Sequence, residues 1–446
     1  MSKQDEHAEG AATNLSGHAD LAFAEGKLET ALRYYTALLE HDSEDIYAWY
    51  RVAATLAGLG DRDAAKRSLE QVPRAFADRG QLVLAFAAIK DLQPLDAGAA
   101  SRCGAAVAAL YGGNSKREEA TRKAPPPVRR SRGPNELPAA IAGADARVLR
   151  MMAEEVCDKA LHAWDAHDRA EASFPHHPLL SDLAPEELAT LLPLFELKIF
   201  GVGKEVIAQG SAGTSLFIVV RGVAEVTRHG VHLAYLRSGA FFGEMALLTS
   251  SPRAASVSAH GPLMVLEIGR KALGELASAT PGVASVLAAY TRERLVRNLL
   301  ATSEIFRPLD PSRREALVDL FTSEVYSAGE AVLVEGEDAE GGLYVVLSGT
   351  VCVSKLEDGD DLTLAELGAG QVFGEISLIK SRPATATITA LAKTVVLCLP
   401  RDAFNEHMGQ FPEVLAHVYR LAQEREKANR QLAEREVFAV DDDVLI

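Results

Sequence analysis

Phe242-Gly243-Glu244-Met245-Ala246-Leu247-Leu248-Thr249-Ser250-Ser251-Pro252-Arg253-Ala254-Ala255 is the stretch from which the rest of the chain can be read. Gly243 lets the backbone approach a ligand, because it carries no side chain. Residues 245–248 read as one helical turn whose free N–H groups can face an anion. Glu244 is an acceptor suited to a sugar hydroxyl. Arg253, nine residues later, offers a charged fork that matches the oxygens of a phosphate. Pro252 fixes its own φ and so sets the approach to that arginine. Ala254 and Ala255 are small enough to leave their N–H groups accessible. Together these residues predict a small phosphate-binding loop.

Working outward, the loop proves to be one of two. Leu183-Ala184-Pro185 matches Leu309-Asp310-Pro311, and Gly203 and Gly210 match Gly329 and Gly336, all 126 residues on. Gly222 matches Gly349 at 127. Gly239, Phe242, Gly243 and Glu244 match Gly370, Phe373, Gly374 and Glu375 at 131, after an insertion placed in the turn around residues 357–361. A constant offset with insertions confined to turns is the mark of a duplicated domain. Within each copy, short runs such as 216–220 and 343–347 are β-branched, apolar and cut by glycine, and so read as buried strands. Many short strands with glycine at the corners predict an antiparallel β-roll, jelly-roll-like, followed by helices at 270–300 and 401–435.

The Phe-Gly-Glu-x-Ala-Leu stretch followed by Pro252-Arg253-Ala254-Ala255 resembles the phosphate-binding cassette of cyclic-nucleotide-binding domains. That resemblance implies that Glu244 holds a ribose 2′-hydroxyl and Arg253 the cyclic phosphate, with Phe242, Gly243, Met245, Ala246, Ala254 and Ala255 completing the site. It also implies cyclic AMP as the ligand, because Ala254 stands where a threonine favours cyclic GMP. Tyr290 and Arg294 are candidates for a lid over the base. The second copy has Gly374 and Glu375, but nine residues after Glu375 stands Ala384, and Arg382 comes two residues early. The second site is therefore expected to be weak or vestigial, with Arg382 pointing elsewhere.

Upstream of the β-rolls, Gly26, Ala31 and Tyr35 recur as Gly60, Ala65 and Leu69, each 34 residues on, which is the period of tetratricopeptide repeats. Further helices are predicted at 74–91 and 97–111, with no third repeat keeping the pattern. Such stacks bind partners in a concave face. A basic, Pro-rich linker follows, then a helix over 145–170 with Leu149, Met152, Val156, Ala160 and Trp164 on one face. The expected organisation is multidomain α + β. It consists of a disordered tail (1–17), a helical repeat region (18–112), a linker (113–144) and a connecting helix (145–175). Two β-roll domains (176–302 and 303–436) and an acidic tail (437–446) complete it.

The chain has 446 residues, 48% hydrophobic, with a net charge of −16. That charge disfavours direct binding of nucleic acid, and no space remains for a helix-turn-helix after the second β-roll. There is no apolar run long enough for a membrane span, and the polar start is not a secretory signal. The four scattered cysteines lack metal-ligand spacing and are expected reduced, in the cytoplasm. No catalytic motif is present, and no cofactor is called for. His176-His177 is expected in a solvated loop.

The order of helical region, basic linker and two nucleotide domains resembles the regulatory subunit of cyclic-AMP-dependent protein kinase. One departure stands out: Arg129-Arg130-Ser131-Arg132-Gly133 puts Arg132 where that family's inhibitor segment has Ser or Ala. The expectation is a non-enzymatic cyclic-nucleotide receptor. It would bind ligand in the first β-roll and change its contacts with a protein partner held by the helical repeats, with a homodimer through the C-terminal helix as an option. The alternative is a constitutive scaffold whose β-rolls are structural.

Overall fold

The computed structural model describes residues 15–112, 136–165, 180–243, 255–280, 320–337, 342–357, 360–380 and 382–442. It also describes residues 134, 177, 253, 282, 283, 285, 286, 296, 306, 309, 310, 312, 313 and 317, with the backbone alone described at 348, 357, 360 and 429–442. Most of the basic linker, His176 and the lid candidates Tyr290 and Arg294 lie outside the described residues. The chain divides into two compact units, Met1–Ala288 and Ala289–Ile446.

The first unit begins with α1 (Leu15–Ala24), so Leu15, Ser16 and Gly17 belong to a helix and not to the expected tail. The buried side chain of Leu15 explains why. Next come α2 (Leu28–His41), α3 (Ile46–Gly58), α4 (Arg62–Leu69), α5 (Val72–Asp78), α6 (Leu82–Leu92) and α7 (Ala97–Tyr111). Three of the joints are the same turn. Gly26, Gly60 and Gly80 are left-handed, and the next amide in each case reaches five residues back: Lys27 to Ala22, Asp61 to Leu56, and Gln81 to Phe76, each at 2.9 Å. This is the Schellman arrangement, which satisfies a carbonyl at the helix end. It breaks the single helix expected at 74–91 in two, and it supplies a third helical hairpin that the 34-residue period does not reach. Asp45 and Asp96 cap α3 and α7 by accepting from Ala48 N and Ala99 N.

After α8 (Ala139–Ala142) comes α9 (Ala146–Asp165). Its buried stripe of Leu149, Ala153, Val156, Ala160 and Trp164 packs back on α2, α3 and α4, so the apolar face is spent on the repeats. Met152, expected in that stripe, is half-buried. His177 corrects its expectation: it is buried, edge-on to Phe241 with ring centroids 5.4 Å apart.

The first β-roll comprises α10 (Pro185–Leu191), β1 (Glu196–Phe200), β2 (Glu205–Ile207), β3 (Ser215–Arg221), β4 (Ala224–Arg228), β5 (Val231–Leu236), β6 (Phe241–Phe242), β7 (Ser256–Ala259), β8 (Leu263–Gly269) and α11 (Arg270–Ala279). Two antiparallel four-stranded sheets, β1-β8-β3-β6 and β2-β7-β4-β5, face each other. Phe217, Val219, Phe242, Val257 and Val265 fill the space between them. Each such side chain is worth about 1.5–3 kcal/mol when buried, so alternate positions along β3 and β8 dictate the register.

The second unit repeats this plan. It comprises β9 (Thr322–Tyr326), β10 (Ala331–Leu333), β11 (Gly342–Ser348), β12 (Thr350–Glu357), β13 (Asp360–Gly368), β14 (Val372–Phe373), α12 (Glu375–Lys380), β15 (Thr387–Ala390) and β16 (Thr394–Pro400), then α13 (Arg401–His407) and α14 (Pro412–Asp442). The sheets are β9-β16-β11-β14 and β10-β15-β12-β13, the same order shifted by eight strands. Register shifts recur at matching places, Val219/Arg221 against Val346/Ser348 and Val226/Thr227 against Val353/Ser354. Phe217 stacks on Phe242 and Tyr344 on Phe373, both at 5.0 Å.

The insertion lengthens the strands of a hairpin: β4 and β5 have five and six residues, β12 and β13 eight and nine. The helix expected at 401–435 is divided by a 3-10 turn at Met408–Gln410, where Pro412 starts a new helix. That helix continues through Asp442, into the expected acidic tail. Cys157 and Cys398 are buried, Cys103 and Cys352 half-buried, and all four are free thiols.

Candidate nucleotide sites

β6 ends at Phe242, whose ring is fixed by Phe217, and the chain leaves through Gly243 at φ +83. A Cβ at this glycine would lie 2.6 Å from Arg253 Nη1 and 2.9 Å from Ser215 O. Only glycine allows both this φ and that approach. Arg253 retains 9% exposure. Its Nη1 donates to Gly243 O and its Nη2 to Ser215 O, each at 2.8 Å. Its backbone is held just as firmly: Arg253 N donates to Ser211 O at 2.9 Å, and Arg253 O accepts from Gly210 N at 2.8 Å. The guanidinium is thus fixed against the exit of β6 by two main-chain carbonyls.

Of the residues expected at the first site, the structure brings Phe242, Gly243 and Arg253 together, and Ala255 follows half-buried. Glu244, Met245, Ala246 and Ala254 lie outside the described residues. The sequence reading missed Ser215, Ser211 and the role of Gly210. Gly210 carried a signal, since its counterpart Gly336 keeps the offset. Ser215 acts through its carbonyl and leaves no trace in residue type.

α11 starts against the same place. Arg270 N donates to Thr214 O at 2.7 Å and Arg270 Nη2 to Gly213 O at 2.6 Å. Residues 213–215 therefore hold the first turn of α11 on one side and Arg253 on the other.

In the second β-roll the backbone frame is the same. Gly374 has φ +83, and its added Cβ would lie 2.7 Å from Gly342 O, the counterpart of Ser215 O. Ala384 N donates to Glu337 O at 3.1 Å and Ala384 O accepts from Gly336 N at 2.9 Å, the bonds made by Arg253 in the first copy. Ala384 thus occupies the arginine's place, 5% exposed. Arg382 points away, as expected, donating to Glu426 Oε1 on α14 at 2.8 Å, while Lys380 binds the other oxygen of the same carboxylate. These two bonds hold the Glu426 carboxyl below its usual range.

The second site is also occupied from within. Glu375 is 2% exposed, and Arg425 Nη1 on α14 reaches its Oε1 at 3.2 Å and also donates to Val372 O. A cavity of about 80 Å³ remains, lined by Leu333, Phe373, Glu375, Ala384 and Arg425 among others. Val414, Val418 and Ala422 bury the stripe of α14 within its own unit, beside α12. Among the described residues no helix is long and apolar enough to cross a membrane, and no cluster of His, Cys, Asp and Glu is placed to hold a metal.

Comparison with known proteins agrees with this architecture. The family described as "Cyclic nucleotide-binding domain" matches residues 197–280 and again 323–411, and a tetratricopeptide repeat family matches 22–88. The cAMP-dependent protein kinase regulatory subunit of Yarrowia lipolytica is 31% identical over 237 residues, 53% of this chain and 60% of that protein. The type II regulatory subunit of Drosophila melanogaster is 28% identical over 239 residues, 53% of this chain and 61% of that protein. The chain thus spans about three fifths of the length of these curated relatives. Among solved structures, the regulatory domain of Toxoplasma gondii PKA with cAMP is 26% identical, covering 55% of this chain and 92% of that one at a TM-score of 0.29.

Proposed function

We propose that this chain, which carries two cyclic-nucleotide-binding domains behind a tetratricopeptide-like region, is a regulatory protein that takes one cyclic AMP in its first β-roll. The observation that carries the reading is the contrast between Arg253 and Ala384 on one shared backbone frame. Arg253 offers a charged fork beside Gly243. At the matching place the second copy offers a methyl group, and Arg425 already lies on its glutamate. Ala254 beside Arg253 favours adenine over guanine by the family resemblance, and Glu244 would hold the ribose.

The protein acts by binding, without catalysis, in the cytoplasm. A cyclic phosphate draws Arg253 into charge-assisted bonds that compete with Ser215 O. Because residues 213–215 also anchor Arg270, the start of α11 responds, and the helices after the first β-roll carry the change to a protein partner. The relatives are named as kinase regulatory subunits, which makes a protein kinase the first partner to test. Arg132 in the place of Ser or Ala argues that contact runs through another surface. The ligand shifts the equilibrium only by its differential affinity for the two states.

Titration calorimetry of cyclic AMP and cyclic GMP into the full chain tests the reading. One site per chain, preferring cyclic AMP and lost in Arg253→Ala, supports it. Two sites of similar affinity would refute the closed second site. No heat and no thermal stabilisation at high ligand would favour a scaffold, since ligand at about 100 times Kd adds about 2.7 kcal/mol.

A further inference from the structure

The first β-roll packs on the helical repeats through α10 on α7 and through β1 and β3 on α6, and it also sends one charged side chain, Arg221, into them. Arg221 ends β3, immediately before the Gly222 turn. Its Nε donates to Asp20 Oδ2 at 3.0 Å and its Nη2 to Ser16 Oγ at 3.0 Å, and the guanidinium lies 3.5 Å from the centroid of the Tyr47 ring. Ser16 and Asp20 are one turn apart on α1, while Tyr47 comes from α3. The other carboxylate oxygen, Asp20 Oδ1, accepts from Tyr35 OH at 2.6 Å and Tyr47 OH at 2.8 Å. Tyr35 OH in turn accepts from Arg51 Nε at 3.3 Å, and Arg51 stacks 3.7 Å over Phe23. Each acceptor is thereby aimed, and the pocket has a charge, a hydroxyl and an aromatic face in the arrangement that a planar guanidinium fills.

The duplication shows that Arg221 is not there for the β-roll. Its register counterpart is Ser348, at the same bulge of the matching strand pair, and the second roll forms the same sheets without an arginine. The dock keeps some access to water, with 19% of the Arg221 side chain and 17% of the Asp20 side chain exposed.

We propose that Ser16, Asp20 and Tyr47 form an arginine receptor in the helical repeats, filled in this chain by Arg221, and that an arginine side chain of a partner segment exchanges with Arg221 there. The first β-roll is then the resident ligand of the repeats. A partner recognised by this pocket is a peptide segment bearing an arginine, and its binding displaces Arg221 from the repeats while the packing of α10 on α7 holds.

The test uses the full chain without nucleotide, so its outcome is independent of any ligand at the Arg253 site. The probe is N-acetyl-arginine amide, with N-acetyl-lysine amide as control, read by the shift in thermal midpoint and by titration. In Arg221→Ala the emptied pocket binds the arginine probe at least tenfold more tightly than wild type, and the lysine probe is not bound. Adding Asp20→Asn to Arg221→Ala removes that binding. If Arg221→Ala fails to fold, Arg221→Lys vacates the fork while keeping a charge, and the same difference is read there. Equal response of wild type and both variants, or binding that survives Asp20→Asn, overturns the proposal.

Discussion

The two β-rolls have the same strand order, the same bulges and the same stacked aromatic pair, yet they differ at the points where something could be held. The first places Arg253 against Gly243 and Arg221 against the helical repeats. The second has Ala384 and Ser348 there, and α14 places Arg425 on the cassette glutamate. The scaffold therefore tolerates loss of either arginine. What separates the two rolls is a few side chains mounted on an unchanged frame, and one of them, Arg425, comes from a helix rather than from the loop.

That comparison can be broken most directly at the shared glycine. Gly243→Val and Gly374→Val should each destabilise their own roll, because a β-branched residue at φ above +80° is strained by about 1–3 kcal/mol and its Cβ also meets a carbonyl within 2.9 Å. Only Gly243→Val should also weaken nucleotide binding, and by more than the loss of Arg253 alone, because its Cβ both displaces Arg253 and meets Ser215 O. Equal loss of binding from both variants, measured by calorimetry, would make the two rolls equivalent. The next effect in size is Arg253→Ala. Losing one charge-assisted contact costs about 1.5–3 kcal/mol, roughly 10- to 100-fold in Kd. Ala384 already stands in the second roll where the first has Arg253, so the reverse substitution is the more telling experiment.

Ala384→Arg combined with Arg425→Ala should create a second binding site per chain, weaker than the first. Ala384→Arg alone should not, because two guanidinium groups would then crowd Glu375. Stoichiometry from calorimetry decides between them. The smallest effect concerns the dock. Burial pushes the Asp20 carboxyl up, but Arg221 outweighs it with help from Tyr35, Arg51 and Tyr47, and the carboxyl is held below its ordinary value. A carboxyl with a lowered native pKa stabilises the fold above its unfolded value of about 3.9, and this is lost as the pH falls through the native value. The difference in thermal midpoint between wild type and Arg221→Ala should therefore be complete at neutral pH and shrink below about pH 4.

The duplicated fold was legible because it is written in glycines. Gly203, Gly210, Gly222, Gly239 and Gly243 and their counterparts all have positive φ, so a steric requirement keeps them at a fixed offset. The Gly243–Arg253 pair was legible for the same reason. What escaped the sequence were contacts between distant segments. Arg425 is 50 residues from Glu375, and Arg221 is 201 residues from Asp20; neither distance has a period. Tyr35 read as a repeat position, and it also turns its hydroxyl to a carboxylate that receives an arginine from another domain. Gly80 falls inside the helix expected at 74–91, and its left-handed turn divides that stretch. His177 looked solvated beside a proline, whereas it is buried edge-on to Phe241, with its backbone N–H donating to Ser181 Oγ.

The free thiols have a practical consequence. Burial pushes Cys157 up to about 12 and Cys398 up to about 11, and Cys103 is raised as well, its Sγ donating to Glu70 O. At neutral pH the thiolate, the reactive form, is therefore scarce at all three. Cys352, half-buried on β12 of the second roll, is the free thiol nearest that roll's cavity-lining strand residue Val353. A fluorophore placed there without any mutagenesis would report from the sheet that lines the second roll's cavity.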